Sequence, residues 1–315
     1  MELRQLGRTG LQISSLSLGT VGLGLNYGIA AGSTTGAPPP QRSESVALIH
    51  RALDSGINFL DTARAYGDSE AVVGEALRGR REQAIVTTKV NCFDAQAKPL
   101  RGAALRERIH TSIRESLKLL QTDYVDLLML HSAPVELLDG GEALDMLATV
   151  KAEGLTRSIG ASTYGSDAPR LAIEQGAEAL QVAYNVLDQR MADEIFPLAQ
   201  ARGVGMIVRS VYLKGVLTDR AEDLPDHLDA LRQLSRQYRQ LTGQFGIDPA
   251  QAALRFVLSN PDVSTALVGV IRQHELDVAL DAAAVGVLPD DLLQPLTAMR
   301  IEEEKLLNPG YWGIP

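Results

Sequence analysis

Eight short apolar runs, most of them rich in β-branched residues, alternate along the chain with stretches of helical periodicity. This alternation constrains the fold more than any other feature of the sequence. The runs cover residues 13–18, 57–60, 84–88, 124–130, 157–161, 179–184, 205–208 and 265–268. Between them, apolar residues fall three or four apart: Val46, Ile49 and Leu53; Leu105, Ile109, Ile113, Leu117 and Leu120; Leu144, Leu147 and Ala148; Leu231, Leu234, Tyr238, Leu241 and Phe245. Each helix therefore has one face to bury. Runs such as YVDLLML and GVGMIV are apolar on both faces, as parallel strands covered on both sides must be. The fold class is α/β, and eight strands favour a closed (β/α)8 TIM barrel, with an open doubly wound sheet as the alternative. The nearest approach to a dinucleotide fingerprint is Gly22, Gly24 and Gly28, whose last spacing is one residue too long. The run Pro38, Pro39 and Pro40 stands where the following helix should begin, which weakens the open sheet.

Ahead of the first run, Leu3 and Leu6 face Leu11 and Ile13 across Arg8, Thr9 and Gly10, which reads as an N-terminal β-hairpin capping one end of the barrel. The Gly-, Thr- and Pro-rich stretch over 22–41 reads as a long first loop. No linker divides the chain, so residues 1–315 are read as a single barrel domain.

Composition narrows the function. With 45% hydrophobic and 22% charged residues the chain is globular, and its net charge of -9 disfavours nucleic acid and anionic membrane surfaces as partners. A small-molecule partner is expected, and no feature of the sequence specifies an oligomeric state. The first residues lack the apolar core of an export signal, and the lone Cys92 cannot form an internal disulfide, so a cytoplasmic location is expected. The histidines His50, His110, His131, His227 and His274 lack the spacing of a metal site, and no metal is required.

In a barrel of this kind the loops following the strands converge at one face, where catalytic groups gather. At successive strand exits stand Asp61, then Tyr66 just beyond it, then Lys89, then His131. Singly, these residues have plain structural explanations: an Asp–Lys ion pair, a tyrosine at a helix start, a satisfied core histidine. One of each type at consecutive exits is a convergent site.

The segments GINFLDTARAYGDSEAVVGEAL, VTTK, DYVDLLMLHS, IGASTY, LQVAYN and IVRSVYLKG stand in the order found in the aldo-keto reductase family, which the chain resembles over nearly its whole length. The resemblance implies an NAD(P)-dependent enzyme that reduces an aldehyde or ketone to an alcohol, or runs the reverse, with Asp61, Tyr66, Lys89 and His131 as a catalytic tetrad. Hydride reaching a carbonyl carbon leaves charge on oxygen, and a proton must be supplied there. Tyr66 is the natural acid. A phenol titrates near pH 10, so lowering it by ~2 units is worth ~2.7 kcal/mol toward a poised donor. Lys89 is expected to do this, Asp61 to keep Lys89 charged and in place, and His131 to hold the substrate oxygen.

The resemblance also implies the cofactor contacts. Ser162, Thr163 and Gln181 would hold the nicotinamide carboxamide, although relatives commonly have Asn where this chain has Thr163. Arg209 occupies a position often held by an aromatic ring stacked on nicotinamide, and a guanidinium plane can also stack. Ser210, Leu213 and Gly215 would meet the pyrophosphate, and Gly19, Thr20 and Asp61 complete the near side. Gly269, Val270, Arg272 and Glu275 would lie at the adenosine phosphate. There Arg272 suits a 2′-phosphate, whereas Glu275 replaces a frequent basic residue and Ala279 a frequent Asn, so NADP (NADPH) is only slightly favoured over NAD. The substrate, a small carbonyl compound or alcohol, would be met by the first loop and by segments 132–142, 216–228 and 308–315, where Tyr311 and Trp312 either fold over the mouth or pack on the barrel wall or a neighbouring subunit. Two other readings remain: a catalytically weak NADP-binding redox sensor or regulatory barrel, and an aldolase-type barrel with Lys89 as Schiff-base nucleophile. The reductase is preferred because a sensor needs no complete acid–base set, and a Schiff-base lysine should be neutral.

Overall fold

The computed structural model describes residues 1–26 and 39–314. β1 (Leu3–Gln5) and β2 (Gln12–Ser14) form the antiparallel N-terminal hairpin. Eight parallel strands then close into a barrel: β3 (Leu16–Gly19), β4 (Phe59–Asp61), β5 (Ile85–Val90), β6 (Val125–Leu130), β7 (Thr156–Ser162), β8 (Ala179–Ala183), β9 (Gly205–Arg209) and β10 (Thr265–Gly269). They neighbour one another in chain order, and β10 returns to β3 with Gly269 opposite Gly19. The open sheet is excluded.

Helices ring the barrel because each strand's outer face needs an apolar cover. Among them, α1 (Val21–Gly24) follows β3, α2 (Arg42–Asp54) precedes β4, and α3 (Ser69–Ala76) and α4 (Gly102–Leu120) flank β5. Next come α5 (Val135–Leu138), α6 (Glu142–Ala152), α7 (Asp167–Glu174) and α8 (Ile195–Arg202). The last are α9 (Asp229–Gln244), α10 (Pro249–Leu258), α11 (Gln273–Val285), α12 (Asp290–Thr297) and α13 (Glu304–Leu307). The expected stripe of α4 is buried at Leu105, Ile109, Ile113 and Leu120. α10 starts at Asp248-Pro249, with proline at its first position and the Asp248 carboxylate accepting from the Gln251 N–H at 3.1 Å. No described helix is long and apolar enough to cross a membrane.

The barrel interior has its own small core of Phe59, Leu127, Met129, Ala179, Ile207 and Leu267, sealed from below by Leu6, Leu11 and Ile13 of the hairpin. Side chains alternate along a strand, so two residues beyond Phe59, Ala179 and Ile207 the inward positions are Asp61, Gln181 and Arg209. The interior thus changes from apolar to polar toward the strands' C-terminal ends, and that change positions the site.

Several details differ from expectation. The run over 13–18 is two strands, because the chain passes from hairpin to barrel at Ser15, whose N–H reaches Glu2 O at 2.9 Å and whose carbonyl accepts from Ala266 N at 2.8 Å. Leu3 pairs with Ser14 and is exposed, so Leu6, Leu11 and Ile13 form the plug. Ala148 lies on the outer side of α6, whose buried face is Ala143, Leu144, Leu147 and Val150. Tyr184 lies just past β8, packed against Phe196 and Phe256. Part of the 22–41 stretch is helical, as α1, and residues 27–38 lie outside the described set.

Candidate active site

Lys89 lies inside β5 rather than beyond its end, with its side chain fully buried. Its ammonium donates to Asp61 Oδ2 at 2.7 Å, to the Thr62 carbonyl at 3.0 Å and to the Tyr66 hydroxyl at 3.3 Å. Asp61 ends β4 and Tyr66 sits on the turn leading to α3. His131 follows β6, and its ring meets the Tyr66 ring edge to face, centroids 5.6 Å apart. The four residues expected at the mouth are therefore assembled. Gln181 adds a fifth: its amide donates to Asp61 Oδ1 at 2.8 Å.

The electrostatics follow from burial and these pairs. Burial disfavours the Lys89 cation, yet Asp61 and the Tyr66 oxygen outweigh it and hold the ammonium above its usual range. The expectation that Lys89 lowers the Tyr66 phenol below its usual value is not met. Burial raises it, the Lys89 cation lowers it, Asp61 raises it again, and the net shift is upward. The physical reason is that burial of the phenol is the largest effect, and Asp61 offsets part of the lysine's field. Burial, then the cations of Lys89 and Arg209, depress His131 to about 3, so its imidazole is neutral.

The residues expected to meet the cofactor occupy the other strand exits. Ser162 ends β7 and is buried with Thr163, whose hydroxyl is buried without a hydrogen-bond partner. Arg209 ends β9. Its guanidinium donates to the Thr163 carbonyl at 2.9 Å and to Ser210 Oγ at 3.3 Å, and lies 4.0 Å over the Tyr164 ring. The stacking capacity expected of Arg209 is thus used on Tyr164, a residue the sequence reading passed over although it directly follows Thr163. In the next loop Ser210, Leu213, Lys214 and Gly215 all have positive φ. For three non-glycine residues this is a costly backbone of the kind concentrated at binding loops. Gly269 ends β10 opposite Gly19 at the end of β3, and Val270 and Thr20 come next along the two chains. Thr20 is buried and its hydroxyl donates to the Asp61 carbonyl at 2.8 Å.

Glu275 is occupied within the protein. Its Oε2 accepts from the Ile271 and Arg272 N–H groups at 2.8 and 3.1 Å, capping α11, and its Oε1 accepts from Arg220 at 2.5 Å. Arg220 was not anticipated, since only the fold brings its loop beside α11. Ala279 is buried in that helix. In the C-terminal segment Trp312 is buried, its indole N–H donating to the Lys305 carbonyl at 3.2 Å, while Tyr311 is exposed. Trp312 is therefore a packing residue.

The residues present fit a nicotinamide dinucleotide. The unpartnered Thr163 hydroxyl, the loop with left-handed Ser210, Leu213, Lys214 and Gly215, and the β10–β3 exits form a continuous arc around the mouth, beside an acid–base cluster with a neutral imidazole. A parallel eight-stranded barrel carrying a Lys–Asp–Tyr–His cluster at its C-terminal mouth defines a class of oxidoreductase. The aldo/keto reductase family model matches residues 15–301, and the chain belongs to that family. It is 28% identical over 302 residues to the aldo-keto reductase YhdN of Bacillus subtilis, covering 88% of this chain and 87% of that one. It is 31% identical over 301 residues to the L-galactose dehydrogenase of Arabidopsis thaliana, covering 89% and 88%. The holo form of aldo-keto reductase AKR11C1 from Bacillus halodurans superposes with a TM-score of 0.79 at 26% identity, covering 98% of this chain and all (100%) of that one.

Proposed function

We propose that the protein is an NADP(H)-dependent carbonyl reductase in which Tyr66 delivers the proton. The observation that carries the proposal is the Lys89 ammonium bridging Asp61 Oδ2 and the Tyr66 hydroxyl. The bound cofactor supplies the hydride. Tyr66, raised above its usual range, stays protonated at neutral pH and is a donor at rest, which suits reduction better than alcohol oxidation. As charge grows on the substrate oxygen, the phenol proton moves to it, and Lys89 stabilises the resulting phenolate. The neutral His131 imidazole donates one N–H to the same oxygen and fixes the carbonyl without contributing charge. Ser162 and the Thr163 hydroxyl hold the carboxamide. The Gln181 amide holds Asp61, which leaves its carbonyl oxygen for the cofactor.

NADP is preferred to NAD because Arg272 has no carboxylate partner among the described residues, while Arg220 neutralises Glu275 beside it. A reducing cytoplasm suits the single, buried Cys92. The test is a panel of aldehydes, ketones and sugar-like carbonyls with NADPH and NADH, run beside Tyr66→Phe. Turnover that collapses in the variant supports the reading. Tight NADPH binding without turnover, indifferent to Tyr66→Phe, would instead indicate a sensor or regulatory barrel.

A further inference from the structure

α1 is a single helical turn, and both its ends touch the tetrad. At its start, the N–H and hydroxyl of Thr20 donate to the Asp61 carbonyl at 3.0 and 2.8 Å. At its end, Gly24 lies against the turn that carries Tyr66. A Cβ on Gly24 would stand 2.0 Å from the Tyr66 carbonyl oxygen and 2.6 Å from the Ser69 nitrogen. From the other side, a Cβ on Gly67 would stand 2.5 Å from the Gly24 carbonyl oxygen. These are backbone contacts, so no rotamer change can relieve them.

Gly24 is not required by its own backbone. It lies in a helix and is absent from the positive-φ residues, and there alanine is favoured by about 1 kcal/mol. The glycine is therefore demanded by space, and the space is that of the Tyr66 turn. Gly22, on the same helical turn, faces only the Ile271 Cγ2 atom at 2.6 Å, a side-chain methyl that can swing aside.

We propose that Gly24 is a positioning residue for Tyr66, its missing side chain letting α1 seat the phenol against Lys89; this rests on Tyr66 being the acid. The far side of the turn is fixed, because Ser69 N–H donates to the Tyr66 carbonyl at 3.1 Å and Ser69 Oγ meets Thr20 Oγ1 at 2.5 Å and Thr62 Oγ1 at 2.8 Å. A methyl at Gly24 thus displaces the Tyr66 backbone. The 3.3 Å contact between phenol and ammonium is already near the limit for a hydrogen bond and has no slack to absorb the shift.

The experiment compares wild type, Gly24→Ala, Tyr66→Phe and the double variant, using NADPH and p-nitrobenzaldehyde, with melting curves to confirm folding. Gly24→Ala is expected to lower kcat on the order of 100-fold, the cost of a small misplacement of a catalytic group. The aldehyde KM and the NADPH Kd from cofactor fluorescence should stay near wild type. In the Tyr66→Phe background Gly24→Ala should have no further effect, since the group it positions is gone. Should Gly24→Ala fail to fold, Gly67→Ala both presses on the same contact and strains the exposed Tyr66 turn at its φ of 56°, and should show the same pattern. Wild-type kcat in Gly24→Ala, or an equal loss in both backgrounds, overturns the positioning role alone. Wild-type kcat in Tyr66→Phe overturns the acid assignment, and this proposal with it.

Discussion

Gln181 donates its side-chain amide to Asp61 Oδ1 across 2.8 Å, joining β8 to β4 on opposite sides of the barrel. With Oδ2 taken by Lys89, both carboxylate oxygens are held, and the carboxylate cannot turn away from the ammonium. Gln181→Leu should therefore destabilise the fold by about 1.5–3 kcal/mol, the range for a hydrogen bond to a charged group, and lower kcat through a looser Lys89. Urea denaturation beside steady-state kinetics checks both. An unchanged midpoint would mean the amide does not restrain Asp61.

The Lys89–Asp61 pair is buried, so removing one member leaves an uncompensated charge. Lys89→Met should cost about 3–5 kcal/mol, and Lys89→Met combined with Asp61→Asn should recover part of that loss while remaining inactive. The comparison separates folding from chemistry. A double variant no more stable than the single one would show that the pair's charges do not dominate its energetics.

The fold was legible because strand and helix periodicities are local, and the cluster of Asp61, Tyr66, Lys89 and His131 because its members lie at or near strand ends that periodicity locates. Contacts set by the closed ring were not legible. Gln181 reaches Asp61 only because the barrel places their strands opposite one another, and Arg220 reaches Glu275 only because the loop after β9 lies beside α11. The direction of the Tyr66 shift was misjudged for a related reason. Sequence shows a lysine near a phenol, whereas the balance depends on how far burial and Asp61 cancel that lysine.

His131 gives a signed pH dependence. Its imidazole is held neutral down to about 3 when folded, while the unfolded chain protonates it near pH 6.5. Within that window the unfolded state binds more protons, so this residue's contribution makes stability fall as pH drops from about 6.5 to 3 and stay level outside it. Urea midpoints across this range should slope less in His131→Phe than in wild type. For the same reason neither His131 nor Tyr66 should put a step in the reduction rate between about pH 5 and 8. A bell centred there would require another titrating group.

The nucleotide end offers a charge-balance test. Arg220 and Glu275 form an ion pair with Arg220 about half exposed, and such a pair adds little stability. Its consequence lies in what an unneutralised carboxylate at the start of α11 would do to a 2′-phosphate near Arg272. Arg272→Ala should weaken NADPH on the order of 10-fold, the loss of a charge-assisted hydrogen bond, and leave NADH nearly unchanged. Arg220→Ala should also weaken NADPH more than NADH by exposing Glu275, and Glu275→Gln should tighten NADPH. All three differences should shrink as salt rises, because Arg220 is about half exposed and Arg272 and Glu275 are only partly buried, so that salt still screens them. Fluorescence titrations of both cofactors at low and high ionic strength decide the matter. Equal effects on the two cofactors would mean that these residues shape the helix start and do not read the phosphate.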